Sequence, residues 1–293
     1  MAPRNEWPPL SRIVLTQGVV DSLFEQFDEH RKTERGNEEI GWLLLGHRRQ
    51  GEDFVTIQAT LPAGTNRDAG VAHVQFSSTA QAVAARFLRA SDPELIPLGV
   101  AHTHPGSLTR PSSGDYKGDR EWIQQLRGRA GVFAIGTISA TKNSTTTFAI
   151  SPAPSVQCRG SLCFHWYGLH AGAQDYVTLP VEIQSGTDLA SPWHGAWEHL
   201  ETFAEGLEQL QLQLRQVQAR VTHVNGEAVL LVSIPIAARD GGMIYLQLKN
   251  REAQLFVKLE DEMFAVEGEI SNLPEKIYEL LAIFAAAHVP FSS

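Results

Sequence analysis

The stretch Gly99-Val100-Ala101-His102-Thr103-His104-Pro105, running on to Ser112 and Asp115, decides how the chain is read. An apolar run, Leu95 to Ala101, leads into it and reads as a buried strand. Alternate residues of a strand share a face, so His102 and His104 aim their imidazoles at one point. Pro105 and Pro111 stop the strand and force a loop. Ser112 and Ser113 read as a helix start, with Asp115 in its first turn. Strand end, loop and helix N-terminus thus gather two neutral nitrogen donors and one carboxylate. Three protein ligands with a fourth position open is the arrangement of a catalytic zinc site. The plainer reading of Asp115 is an acid placed against the helix dipole.

Upstream lies Asn37-Glu38-Glu39-Ile40-Gly41-Trp42-Leu43-Leu44-Leu45-Gly46, a nearly unbroken apolar strand preceded by two glutamates. Adjacent strand residues face opposite ways, so only one of Glu38 and Glu39 can reach a point on a given face. In their order these pieces resemble the signature of the JAMM (MPN-plus) metalloproteases. His-Thr-His-Pro is followed by six residues, Ser, two residues and Asp, with a glutamate near the start of an upstream glycine-containing strand. The resemblance covers about residues 10 to 155. It implies an α/β fold of the JAMM type, cytidine-deaminase-like, in which a mixed β-sheet is flanked by helices. It also implies Zn2+ held by His102, His104 and Asp115. Glu39, seven residues before Gly46, is then the candidate general base, with Glu38 as its rival. Ser112 is the candidate donor to the oxyanion, against a plain helix cap as its other reading.

Composition narrows the classes. Lys+Arg 24 against Asp+Glu 33 makes an acidic chain of 293 residues, with no long basic run. Nucleic acid and anionic membrane are therefore not expected partners. No apolar stretch approaches the ~20 residues of a membrane span, and Met1 to Glu6 lacks a signal-peptide core, so a cytoplasmic location is expected. Cys158 and Cys163 are expected there as reduced thiols. The remaining histidines, among them His47, His73 and His165, lack ligand spacing.

Taken in order, Ile13 to Leu15 reads as a strand and Gln17 to His30 as a helix with Val20, Leu23, Phe24 and Phe27 inward. Strands are expected at 40–46, 53–61 and 73–76, the last after a Gly-rich loop, Pro62 to Gly70. A helix follows at 79–90, then the metal-site strand, a helix at 113–127, and strands at 131–139 and 146–151. Ser151-Pro152-Ala153-Pro154-Ser155 reads as the start of a linker, with further strands at 161–167 and 176–183. Leu200, Phe203, Leu207, Leu210, Leu214, Val217 and Val221 recur at steps of three and four, which predicts one helix over 193–221, packed on its own domain or used as a dimerising seam. Strands at 228–236, 243–248, 255–259 and 263–266 and a helix at 274–288 complete an α+β domain. The expected organisation is a metalloprotease domain at 1–155, a linker or shared strands at 156–192, and an accessory domain at 193–293.

The resemblance implies a zinc-dependent metallopeptidase or isopeptidase acting at the C-terminal tail of a ubiquitin-like protein or its conjugates. Residues 62–70 and 107–110 are the expected flanks of such a tail. The C-terminal domain is the candidate holder of a conjugation-pathway protein. Only Ser91 to Leu95 separate the preceding helix from the metal-site strand, so long ubiquitin-gripping insertions are not expected. Two other classes stay open: a metallohydrolase of small peptides or amides, and a non-catalytic MPN scaffold.

Overall fold

The computed structural model of the chain describes residues 7–64, 78–104, 106, 108–139, 148–214, 216–237, 241–249, 252–267 and 272–286. The expected strand at 73–76 and most of the loop at 62–70 lie outside these residues. Two compact units are present: Met1–Ser77 with Asp92–Ser191, and Ser78–Ser91 with Pro192–Ser293. No helix among the described residues is long and apolar enough to cross a membrane.

The first unit opens with β1 (Arg12–Thr16), α1 (Gln17–Arg31), β2 (Gly41–His47) and β3 (Phe54–Pro62). The next helix, α2 (Thr79–Ser91), belongs to the second unit. The chain returns as β4 (Ile96–Thr103), α3 (Ser113–Trp122), β5 (Ala130–Ile138), β6 (Ile150–Ala153), β7 (Val156–Arg159), β8 (Leu162–His170), β9 (Val177–Thr178) and β10 (Val181–Gln184). These strands form one mixed sheet in the order β10-β1-β3-β2-β4-β5-β8-β7-β6, with β9 against β8. Parallel pairs join β1 to β3, β1 to β10 and β4 to β5. Fold class is therefore α/β with a mixed sheet flanked by helices, as the motif implied.

Each face of this sheet has its own core. On one, α1 buries Val19, Val20, Leu23, Phe24 and Phe27, the stripe of an amphipathic helix. Phe164 is their hub, edge-on to Phe24, Phe27 and Trp42 at ring-centre distances of 5.2, 5.9 and 5.9 Å. On the other, Val100, Phe133, Ile135, Tyr167 and Leu169 pack with Ile123 and Leu126, which follow α3. Strand β4 is buried between neighbours on both sides. Gly99 lets it approach β5: a Cβ there would overlap the Val132 carbonyl. Pro97, which cannot donate to a ladder, sits where the β2–β4 register slips after Leu44 and before pairing with β5 begins at Gly99.

The second unit contains α2, α4 (Ser191–His194), α5 (Trp197–Gln213), the meander β11 (Gln218–Val224), β12 (Glu227–Pro235), β13 (Met243–Lys249), β14 (Glu252–Leu259) and β15 (Glu262–Val266), and α6 (Leu273–Ala286). Leu230, Val232, Ile234, Ile244, Leu246, Leu248, Leu255 and Val257 alternate along the strands onto one buried face. Helix α2 is tied to α5 by Arg86–Glu208 at 2.8 Å and by a Gln211 amide donating to the Val83 carbonyl at 3.2 Å, and Phe87 stacks on Trp193.

Several expectations are corrected. The single helix over 193–221 is interrupted after His194 and ends at Gln213, where Leu214 is extended (φ −108°, ψ 133°). Val221 lies instead in β11, opposite Leu230 of β12. Leu200, Leu207 and Leu210 are buried within their own unit, the packing role rather than an open seam. The helix expected to Arg127 stops at Trp122 and gives way to two single 3-10 turns. Residues 151–155, read as the start of a linker, turn β6 back into β7, and of the two readings of 156–192 the strands are the one found, as β7 to β10 of the first sheet. Cys158 and Cys163 are not free thiols but a disulfide. They stand directly opposite one another on β7 and β8, their Cα atoms 4.1 Å apart across the turn at Gly160. Protein kept from reductant is expected to take up no thiol reagent even when unfolded, and to take it up at both cysteines after reduction. Closing so short a loop contributes roughly 2 kcal/mol, so reduction should lower the denaturant midpoint without changing the fold.

Candidate metal centre

The centre is built where β4 leaves the sheet. His102 pairs with Gly41 across β2 and with Ile135 across β5. Its neighbour Thr103 fixes the next residue of the partner segment twice: the Thr103 N–H donates to the Ile40 carbonyl (2.8 Å), and the Ile40 N–H donates to Thr103 Oγ1 (3.0 Å). Glu39 directly precedes Ile40 in the segment that leads into β2. Glu39 is buried, 9 % exposed, and its charge acts on His104. The Glu38 carboxylate lies 2.6 Å from the Arg35 guanidinium. Of the two candidates, Glu39 is the one whose charge acts on His104, and Glu38 is the one paired with Arg35.

Asp115 arrives from α3. That helix carries two glycines and buries no residue fully, so packing alone would hold it weakly. A capping box supplies its start: the Asp115 N–H donates to Ser112 Oγ (3.2 Å), and the Ser112 N–H donates to Asp115 Oδ2 (2.5 Å). The cap uses a lone pair of the Ser112 hydroxyl and leaves its hydrogen to donate elsewhere. The same carboxylate lies 3.4 Å from His102 Nε2 and 3.5 Å from His104 Nε2, and the two Nε2 atoms are 3.1 Å apart. His104 Nδ1 meets the Leu108 carbonyl at 3.0 Å. A carbonyl only accepts, so Nδ1 carries the hydrogen and Nε2 of the neutral ring presents its lone pair.

One ligand atom from each of His102, His104 and Asp115 fits within a 4.8 Å cluster, and both imidazoles are 6 % exposed. Burial opposes charge on His104, yet Asp115, the Leu108 carbonyl and Glu39 outweigh it and raise its pKa. Burial likewise opposes ionisation of Asp115, while His102, His104 and the Ser112 N–H hold its carboxyl well below the usual range. Two imidazole Nε2 atoms and an ionised carboxylate come together in an arrangement that calls for positive charge. The donor set fits a small divalent cation such as zinc.

Other side chains brace this arrangement, and the motif did not announce them. Tyr167 on β8 donates its hydroxyl to the Thr109 carbonyl in the metal-site loop (2.9 Å). Tyr116 donates to the Ala173 carbonyl (2.8 Å), and Tyr176 to Asp119 Oδ2 (2.6 Å). Asp119 lies one helical turn beyond Asp115, a spacing visible in the sequence, whereas nothing local links it to Tyr176. Burial, with the Asp115 charge adding to it, pushes the Asp119 carboxyl up to about 7 against the pull of the Tyr176 bond. Burial and the neighbouring Asp119 push the Tyr176 hydroxyl upward too. Among the other histidines, His47 is paired with Asp92 at 2.9 Å, and His73 lies outside the described residues.

A carboxyl whose pKa rises from 3.8 to about 7 on folding keeps its proton in the native state while the unfolded chain loses it. Stability therefore falls as pH rises from about 4 to about 7 and levels off above. In chelator-treated protein, Asp119→Asn removes this loss. Its melting temperature should match the parent's at pH 4 and exceed it at pH 8; equal values at pH 8 would show that Asp119 is not held protonated.

Residues 20–150 match the family model described as prokaryotic homologs of the JAB domain. That segment carries Glu39, His102, His104, Ser112 and Asp115. Among solved structures, a JAB1/MPN domain protein from Archaeoglobus fulgidus is 14% identical to this chain, covering 57% of it and 96% of its own length, with a TM-score of 0.27. No curated protein matches.

Proposed function

We propose that the JAB/MPN-family domain of residues 20–150 is a zinc-dependent metallopeptidase that cuts at the C-terminal tail of a ubiquitin-like protein, as an isopeptidase or a precursor-processing enzyme. The observation that carries the reading is the convergence of His102, His104 and Asp115, with the buried Glu39 acting on His104 from a segment more than sixty residues earlier in the chain.

His102, His104 and Asp115 would hold the zinc. When bound, that ion lowers the pKa of a water from 15.7 to about 7 and polarises the scissile carbonyl. Glu39 takes the proton from the attacking water and returns it to the departing amine. Ser112 donates its hydroxyl hydrogen to the oxygen on which charge develops, while the same oxygen atom keeps α3 capped. Leu108, 54 % exposed beside the centre and fixed through its carbonyl to His104, offers an apolar contact to an incoming chain. A tail in extended form would run past it and past Pro62 to Gly64, its backbone free to pair with neighbouring chain. The C-terminal unit is assigned to binding a protein of the conjugation pathway.

The test is hydrolysis of a ubiquitin-like protein fused through its C-terminal glycine to a reporter. Cleavage should disappear with chelator and return with zinc. Glu39→Gln should retain metal and lower kcat by about 10²–10⁴, whereas Glu38→Gln should leave kcat unchanged. Ser112→Ala should lower kcat by about 10²–10³ and cost about 1 kcal/mol of stability through the lost cap. His102→Ala should abolish stoichiometric zinc. Full zinc occupancy with no cleavage of any ubiquitin-like fusion, but turnover of short peptides, would replace the substrate class. Zinc occupancy with no hydrolysis of either would leave a scaffold.

A further inference from the structure

The family match ends at residue 150, yet two of the three tyrosines around the metal centre lie beyond it, at 167 and 176. Their rings form one cluster. Tyr176 lies 5.8 Å from Tyr116, 5.7 Å from Phe133 and 6.2 Å from Tyr167, in each case edge to face. From this cluster three hydroxyls reach three different pieces of backbone or side chain: the metal-site loop at Thr109, the segment after β8 at Ala173, and α3 at Asp119. Helix α3 needs such ties. It buries no residue fully, its interior contains Gly114 and Gly118, and only its first turn is fixed by the capping box. A ligand on its first turn points correctly only if the helix cannot roll about its own axis, and a bond one turn further along the same face prevents that roll.

We propose that Tyr176, through its hydrogen bond to Asp119, is a positioning residue of the metal centre, holding α3 in the rotation that turns the Asp115 carboxylate toward His102 and His104. Tyr167 does the same for the loop that carries Leu108 and leads into Ser112. The segment after β8, outside the matched family region, thereby becomes part of the centre's working structure. The inference rests on the metal-binding reading above, and it concerns residues that touch neither metal nor substrate.

The experiment is titration of chelator-treated full-length protein with Zn2+ in competition with a chromophoric chelator, and with Co2+ followed by visible absorption. Tyr176→Phe keeps the ring in its aromatic pocket and removes only the hydroxyl. It should weaken zinc binding about 10- to 100-fold and alter the cobalt spectrum, with far-ultraviolet circular dichroism unchanged. Asp119→Asn still offers an amide oxygen to the tyrosine hydroxyl, so it should bind zinc within about threefold of the parent and keep the parent cobalt spectrum. Asp119→Ala should behave as Tyr176→Phe does, and the double variant Asp119→Ala with Tyr176→Phe should be no worse than either, since both remove one bond. Parental zinc affinity and cobalt spectrum in Tyr176→Phe would overturn the proposal while leaving the metal centre intact. A parent protein that takes up neither ion would overturn the metal centre itself.

Discussion

The pairing of Ile40 with Thr103 is the constraint on which the centre depends. Both hydrogen bonds of Ile40 end on one residue, its carbonyl on the Thr103 N–H and its N–H on the Thr103 hydroxyl. The threonine between the two histidines is therefore not a spacer. It is 2 % exposed, on the face opposite the imidazoles, and it fixes the register at which β2 begins. Side chains alternate along a strand, so a slip of one residue between β2 and β4 would change which part of the preceding segment lies beside the imidazoles. Arg35 works toward the same end by holding Glu38 in an ion pair outside the centre.

That register is stabilised from both sides of the sheet. Phe164, Trp42 and α1 load one face, and Val100, Phe133, Ile135 and the turns after α3 load the other. Because β4 runs between β2 and β5, its histidines emerge from a strand with no free edge, and the close contact at Gly99 leaves β4 little room to move against β5. The carboxylate side is different. Helix α3 is polar and glycine-bearing, so caps and tyrosine hydroxyls do there what apolar burial does for β4. The ligands thus come from two mechanical environments, a rigid strand and a helix held by directional bonds.

Much of this is legible in the amino-acid sequence alone. The His-x-His spacing, the prolines that end the strand and the Ser-x-x-Asp at the helix start are local signals, and the structure brings these residues together. Helix α1 was legible from Val20, Leu23, Phe24 and Phe27, because a one-sided apolar stripe has few other meanings. What was not legible depended on distant pairing. Val217 and Val221 continue the three-and-four spacing of α5, and only pairing with β12 shows that the helix has already ended. The disulfide is not legible in the sequence, because a cytoplasmic expectation favours thiols and the hairpin that opposes Cys158 and Cys163 arises only when β7 joins β8. Tyr167 and Tyr176 carry no signal of their own, since their partners lie more than fifty residues away in the chain.

The placement of α2 has a consequence for how the polypeptide is made. This helix precedes β4 in the chain, yet its compact unit is completed by α5 and the meander that follows. Roughly a hundred residues separate the two helices, which at ribosomal speeds of about 5–20 residues per second is on the order of ten seconds. During that interval Val83 and Phe87 have left the exit tunnel while Trp193 and Gln211 have not been synthesised. The nascent chain therefore passes through a stage in which one amphipathic segment is out of the tunnel without the elements that bury it.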